Sequence, residues 1–451
     1  MGPACTLKIT AATSVRCIFR SLNTCRGARM ISTVNKSDES RTSSVESRIS
    51  FISSSYPWLM LSPRSCNTSY ELYSFAENRV LSIPKPDLKY EIDSGFRDAT
   101  RILGSSHGWL ACFNRRRREL FLSNPLSGRR VNLPPFHDLF TPELNLIGGR
   151  RLSIQKITIS CSDPESEECR IVMIFGMADR LAVCCPGRSS PEWTLIGRAL
   201  LGQSHSYLDV VYWFKHKLFF SLTYIGQLEA WDLGNPLSPS LVWSCHFDDL
   251  EEEFDNGVEP SLSDSDSDSD LDFDFDSAFM EPKYSHKRKY PRKYPRKYPV
   301  VSKQGELFLV LRYINRWMMP NGSCAPDDST GDFEYNNLRY PSKTVDFDVY
   351  KIVLDGDRIK KVLMRGHLDG LVMFIGDPSH GIAIPMADAN GFQPNSICFT
   401  EDEHGLCSSH FGTDNGIFDY NKKTFSSCYY PIDYESLKNK ISPSPMWITP
   451  N

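Results

Sequence analysis

The sequence predicts an all-β chain built as a single β-propeller of about six four-stranded blades. Two observations lead there. From Tyr56 onward, short β-branched and aromatic runs recur between Gly, Pro, Asn and Asp turns, and no sustained helical period interrupts them. These runs fall into groups of about four every 45–60 residues, the spacing of propeller blades. Two packed β-sandwiches are the competing all-β arrangement. With 451 residues, 40% of them hydrophobic, the chain is long enough to bury a large core. No apolar run approaches the ~18–20 residues that a membrane-spanning helix needs.

The elements follow in order. Trp58–Leu61 and Glu71–Ile83 open the first group, and Gly108–Phe113, Glu119–Ser123 and Arg130–Leu133 form the second, with Ser127-Gly128 as a turn. Ile154–Ser160, Arg170–Phe175, Arg180–Cys184 and Trp193–Ile196 make the third. Tyr207–Phe214, Lys217–Thr223, Leu228–Asp232 and Leu241–Ser244 make the fourth. Tyr298–Val301, Leu307–Tyr313, Val345–Leu354 and Ile359–Met364 follow as the fifth. The last group is Leu371–Ile375, Gly381–Pro385, Ser396–Thr400, Gly416–Tyr420 and Thr424–Tyr429. An open ring would leave two long exposed edges, so Trp58–Ile83 is expected to share a terminal sheet with Gly416–Tyr429.

Several of these runs carry a family resemblance. Gly104-Ser-Ser-His-Gly-Trp-Leu, then Leu120-Phe-Leu-Ser-Asn-Pro-Leu-Ser-Gly and Leu133-Pro-Pro, resemble the first blade of the plant KIB-type β-propeller family. In the same order come Asp209–Tyr212 with Leu218–Thr223, Gly305-Glu-Leu-Phe-Leu-Val, Phe347–Tyr350, and Ser396-Ile-Cys-Phe-Thr-Glu-Asp with Gly416-Ile-Phe-Asp-Tyr. The resemblance covers about residues 55–432 and implies a propeller whose first and last segments close the ring. The family's domain, long catalogued as one of unknown function, is usually carried behind an F-box, a helical Leu/Pro-rich module that docks a ubiquitin-ligase adaptor. Residues 1–54 show no such pattern, so the chain resembles an organelle-directed branch of the family, and the ligase role does not simply carry over.

Charge is unevenly placed. The whole chain has 51 Lys+Arg against 55 Asp+Glu, a balance that argues against a dedicated nucleic-acid binder. Residues 1–37 nevertheless hold six bases and no acid, as an organellar presequence requires. Val15, Ile18, Phe19 and Leu22 would share one helical face, and Arg16, Arg20, Arg26 and Arg29 are the targeting candidates, the last beside Met30-Ile-Ser-Thr. The expected address is the mitochondrion; the alternatives are chloroplast or dual targeting, or cytoplasm and nucleus if the leader is unused. The expected layout is a transit peptide over 1–36, a linker over 37–55, the propeller over 56–432 and a tail over 433–451.

Within the propeller, 248–299 reads as a disordered insert. Asp248 to Asp276 carries fourteen acids and no base, and three tandem Arg-Lys-Tyr-Pro repeats follow over Arg288–Pro299. Like charges repel, alternating Ser/Asp has nothing to bury, and Pro at every fourth position blocks helix and ladder pairing. The expected state is a solvated loop. The alternative is an arm whose Tyr residues stack on unpaired RNA bases, but the adjacent acids compete for its cations.

Chemistry-bearing motifs are few. Fourteen cysteines with no C-x-x-C suggest mostly free, buried thiols in a reducing compartment. Gly104-Ser105-Ser106-His107-Gly108 matches G-x-S-x-G, but it precedes a strand with no helix to follow, so a tight turn is expected. Cys398, His404, Cys407 and His410 could in number satisfy tetrahedral zinc, although their spacing matches no familiar module and a polar loop is the expected reading. Trp109, Trp193, Trp213, Trp231 and Trp243 are expected to pack between blades. The sequence thus points to a non-enzymatic, monomeric organellar propeller, with no cofactor, that binds a protein partner through loops on one face. The alternatives are an F-box-less relative of ubiquitin-ligase substrate receptors and an enzyme with its site in the propeller channel.

Overall fold

The computed structural model describes residues 57–61, 69–85, 100–114, 116–136, 139, 154–176, 180–196, 206–254, 295–315, 343–355, 358–376, 380–400, 414–427 and 445–448. The chain divides into two units, Met1–Arg48 and Ile49–Asn451, and every described residue lies in the second. Arg16, Arg20, Arg26, Arg29 and the stretch 255–294 lie outside the described residues.

Strands β1 (Trp58–Met60), β2 (Ser69–Ser74) and β3 (Arg79–Pro84) form the first blade, completed by β26 (Met446–Ile448) in the order β26-β1-β2-β3. The second blade is β4 (Thr100–Ser106), β5 (Trp109–Asn114), β6 (Glu119–Ser123) and β7 (Arg130–Asn132). The third is β8 (Ile154–Ile159), β9 (Ile171–Phe175), β10 (Arg180–Cys184) and β11 (Thr194–Ile196). The fourth is β12 (Tyr207–Trp213), β13 (Leu218–Thr223), β14 (Gln227–Asp232) and β15 (Ser240–His246). The fifth contains β16 (Glu251–Phe254), β17 (Arg296–Ser302), β18 (Leu307–Asn315), β19 (Lys343–Asp355) and β20 (Arg358–Leu363). The sixth contains β21 (Leu371–Ile375), β22 (Gly381–Pro385), β23 (Ser396–Phe399), β24 (Gly416–Asp419) and β25 (Thr424–Ser427). Parallel pairing of β17 with β22 joins the last two into one ten-stranded sheet, β16-β20-β19-β18-β17-β22-β21-β23-β24-β25.

The cores establish that these six units form a closed ring. Met60 and Leu72 of the first blade pack with Leu110 and Phe121 of the second. Leu103 and Leu122 of the second pack with Ile157 and Met173 of the third. Ile174 and Leu181 pack with Val210 and Phe219 of the fourth, and Val211 and Phe220 with Leu309 and Ile352 of the fifth. Val310 and Phe347 pack with Met373 and Phe418 of the sixth. Phe374 and Ile384 then return to Leu59 and Trp447 of the first. Each core belongs to two neighbours, so each blade buries both faces; β9 and β21 are accordingly apolar and buried along their whole length. Two packed sandwiches would not give this cyclic order.

Four expectations need correction. Ring closure pairs β1 with β26, Trp58 opposite Ile448 and Leu59 opposite Trp447, and not with Gly416–Tyr429. Residues 446–448, expected in a tail, are therefore part of the first blade. The expected insert is shorter than 248–299: β16 pairs in parallel with β20, and Arg296–Pro299, the third Arg-Lys-Tyr-Pro repeat, lies in β17 opposite Leu309–Arg312. Tyr298 is buried there, so this repeat is not an arm available for stacking on bases. Finally, Gly104–Ser106 belongs to β4, and only His107 and Gly108, both at positive φ, make the expected turn. Among the described residues no helix is long and apolar enough to cross a membrane.

Trp447 tests the closure. It is 1% exposed and meets Phe374 edge-on at 5.0 Å and Phe75 at 5.8 Å between ring centres. Trp447→Ala should cost about 3–5 kcal/mol, typical of a large aromatic removed from a core. Urea denaturation should report this as a lower midpoint at unchanged slope; an unchanged midpoint would show that β26 does not close the ring.

Candidate functional site at the centre of the ring

The leading strands β26, β4, β8, β12, β17 and β22 approach one another in turn, and so line the centre. In three successive blades the leading strand carries a β-bulge at the same place. Leu103 is skipped between Ile102 and Gly104, Gln155 between Ile154 and Lys156, and Leu208 between Tyr207 and Asp209. A bulge adds local twist and re-aims the residue that follows it. Gly104, Lys156 and Asp209 therefore occupy equivalent positions on β4, β8 and β12.

These positions are chemically coupled. Lys156 Nζ lies 2.6 Å from Asp209 Oδ1, with side chains only 4% and 9% exposed. The same carboxylate oxygen accepts from Val210 N at 2.6 Å, and Thr158 Oγ1 donates to Val210 O at 2.8 Å. The third and fourth blades are thus linked by side chains where no ladder joins them. His380, immediately before β22 of the sixth blade, brings Nε2 to 2.9 Å from Ile157 O and Nδ1 to 3.5 Å from Thr158 Oγ1. Two blades lie between its strand and β8 in either direction around the ring, so this contact spans the centre. Gly104 makes room for it: a Cβ there would sit 2.5 Å from Ile157 O and 3.3 Å from His380 Nε2.

The arrangement offers a cation, a carboxylate and an imidazole, but each is engaged by the protein. The ammonium and carboxylate neutralise each other, and both imidazole nitrogens lie against β8. A second buried polar centre ties the fifth blade to the sixth. Arg312, 1% exposed, donates to Asp414 Oδ2 at 2.9 Å, Thr344 Oγ1 at 2.8 Å and Thr400 O at 2.7 Å, and its guanidinium lies over Phe399. Asp414 Oδ2 also accepts from Thr344 N.

The residues singled out from sequence fall elsewhere. Cys398 is fully buried in β23 among Leu59, Phe374 and Trp447, while His404, Cys407 and His410 lie outside the described residues. Among the described residues no group of three or more His, Cys, Asp or Glu is placed to hold a metal. Ser106 of the G-x-S-x-G match donates to Ile159 O at 3.3 Å, a link from the second blade to the third. Burial pushes the neighbouring His107 below its usual range. The tryptophans serve the seams: Trp109 Nε1 donates to Ser162 O, Trp193 Nε1 to Pro134 O and Trp213 Nε1 to Gly305 O, each across a blade boundary. Trp231 packs in the core between the third and fourth blades, and Trp243 packs half-buried against the core between the fourth and fifth. Trp193 precedes β11 rather than lying in it. Lys156 and His380 were not singled out by the sequence, and Asp209 only as the first residue of a family-like run; otherwise their signal is polarity inside or beside apolar strands.

The central pair makes a quantitative expectation. Asp209→Ala should cost about 3–5 kcal/mol, because it leaves the Lys156 ammonium buried without its carboxylate. The double replacement Lys156→Met with Asp209→Leu should recover much of that loss, since two apolar groups carry no desolvation penalty. Chemical denaturation of the single and double variants checks this; a double variant no better than the single one would remove the pair from the ring's energetics.

No match to a curated protein was found. Among solved structures, the β-propeller domain of Myceliophteria thermophila Cps50 (Swd1) aligns at 8% identity over 82% of this chain and 88% of that one, with a TM-score of 0.36. A chain of a nidogen/laminin complex aligns at 7% identity over 87% and 98%, with a TM-score of 0.35. The major Malassezia sympodialis allergen Mala s 1 aligns at 10% identity over 84% and 85%, with a TM-score of 0.31. The family model that matches is the KIB1-4 β-propeller, over residues 72–421. That span begins inside β2 and runs through β24, taking in the three bulged strands β4, β8 and β12, and the chain belongs to the KIB1-4 β-propeller family.

Proposed function

We propose that this propeller is a non-catalytic binding protein that engages a protein partner at one end of its ring. The observation that carries the reading is where the long connections attach. Neighbouring strands in the first four blades are antiparallel, so turns from first to second and third to fourth strands emerge at one end. Turns from second to third strands and crossings between blades emerge at the other. The six longest connections, 85–99, 133–153, 255–295, 316–342, 400–415 and 428–445, all attach at that second end. The longest at the first end, 160–170, is shorter than any of them. Recognition on a rigid ring rests with its connections. The pairing of Lys156 with Asp209 and the contacts of His380 with Ile157 and Thr158 support a binding role over a catalytic one, because those groups are committed to the ring.

We further infer that the acid-free leader directs the chain to the mitochondrion. A fluorescent fusion lacking residues 1–36 should remain cytosolic, and unchanged organellar import would overturn this address. For the binding end, replacing 316–342 by a short Gly-Ser linker should abolish partner recovery in affinity capture from isolated mitochondria and leave the thermal midpoint unchanged. Shortening 163–168 at the opposite end should leave recovery intact. If both variants capture the same set as the parent chain, the proposed end is not the binding surface. Recovery of ubiquitin-pathway components would assign the partner to protein turnover.

A further inference from the structure

The third blade carries two cysteines that stand apart from the polar centre of the ring, one in the core it shares with the second blade and one at the edge of that core. The β8–β9 register sets Thr158 opposite Val172 and Ile159 opposite Ile171. Ser160 N continues it by donating to Arg170 O at 3.0 Å. One step further, Cys161 stands opposite Cys169 at the neck of the connection 162–168. Cys169 N donates instead to Ser166 O, so this rung is a non-hydrogen-bonded one. Directly opposed residues at such rungs have Cα atoms about 4.5 Å apart, within the span a disulfide bridges.

We propose that Cys161 and Cys169 form a thiol–disulfide exchange site, at which a low-molecular-weight disulfide such as oxidised glutathione is reduced as the Cys161–Cys169 bond forms. The two sulfurs have different surroundings. Cys161 is half-buried, packs against the edge of the core between the second and third blades, and donates from Sγ to Asp163 O at 3.1 Å. Cys169 is fully buried in that core. The hydrogen bond from Cys169 holds the Cys161 thiol down at about 7, against the opposing effect of burial. The same hydrogen bond, with burial, pushes Cys169 far up. The pair therefore has one thiolate near neutral pH, on the sulfur that solvent reaches.

The order of events follows. The Cys161 thiolate attacks one sulfur of the incoming disulfide, whose S–S bond breaks and releases one thiolate. Cys161 is then in a mixed disulfide and no longer holds the Cys169 proton. Cys169 gives up that proton to the departing thiolate and attacks the Cys161 sulfur, expelling the second small thiolate. The Cys161 thiolate and the Cys169 thiol become one protein disulfide; the two electrons and the Cys169 proton leave as one small thiol and one small thiolate, and the latter takes its proton from water. The bond closes the neck of an acidic connection already fastened by Trp109 Nε1 to Ser162 O at 2.9 Å and by Arg129 to Glu165 at 2.5 Å.

The test uses the full chain incubated with oxidised glutathione, quenched in acid, alkylated and digested with trypsin. Cleavage after Lys156 and Arg170 leaves both cysteines on one peptide. The expected product is that peptide two hydrogens lighter and without alkyl groups, while Cys184 and Cys185 remain alkylated. Cys169→Ala should stop at glutathione attached to Cys161, and Cys161→Ser, a change at a half-exposed site, should leave Cys169 as a free thiol. Iodoacetamide labelling of Cys161 should rise with pH through about 7 and shift to higher pH in Cys169→Ala, because the hydrogen bond that favours the thiolate is gone. Full alkylation of both cysteines after incubation, or glutathione on Cys169 in Cys161→Ser, would overturn the proposal.

Discussion

Burial of both faces of every sheet is the constraint on which the rest of this structure depends. A blade of four or five short strands buries one face against each neighbour, so removing a neighbour uncovers a complete apolar face. Met60 and Leu72 need Phe121, and Val310 needs Met373, as much as either needs its own strand partners. The requirement returns to its origin through Trp447 and Phe374. A linear stack would leave two such faces and two long sheet edges in water, and closure removes both costs together. The chain meets this with a three-residue strand, β26, contributed from far along the sequence to the blade that β1–β3 begin.

Closure alone does not set the order and rotation of the blades at the centre, where the leading strands converge. There the same bulge recurs in β4, β8 and β12, and the residue after it differs in chemistry each time. Glycine on β4 allows backbone approach to Ile157 O, whereas lysine on β8 and aspartate on β12 are buried and compatible with burial only when they meet. An ion pair of this kind adds little net stability over apolar packing, but it penalises arrangements in which the two strands are misaligned. His380 adds a constraint across the centre, fixing the sixth blade against the third.

Much of the fold was legible in the sequence because fully buried strands are continuous apolar runs bounded by turn residues. Runs such as Leu371–Ile375 and Leu218–Thr223 could hardly be read otherwise. What escaped was carried by other physics. β4 holds Gly104-Ser105-Ser106, residues of low strand preference that its place beside β8 requires. β17 contains Pro299, and its Arg-Lys-Tyr-Pro composition signals solvated chain, yet Tyr298 and Val300 bury against the fifth and sixth blades. β26 is too short to announce itself and is defined by its partner. The centre was the least legible part, since a bulge is a register event between two strands, and neither Lys156 nor Asp209 identifies the other from one dimension.

The seams of the ring are held by unlike means. Between the fifth and sixth blades, the backbone ladder of β17 and β22 runs across the boundary and Arg312 bonds to Thr344, Thr400 and Asp414. Between the second and third, and the fourth and fifth, tryptophan N–H groups reach carbonyls across the gap. The first blade meets the sixth through aromatic surface: Phe75, Phe374, Phe392 and Trp447 stack edge-on or tilted around one another. Apolar contact is non-directional and forgiving of small displacements, whereas a ladder or a buried guanidinium network demands one geometry. The directional bonds therefore lie within the continuous chain from the second blade to the sixth, where neighbouring blades follow each other in sequence. The forgiving contact lies between the first and sixth blades, while the distant ends of the sequence meet inside the first blade through the ladder of β1 and β26.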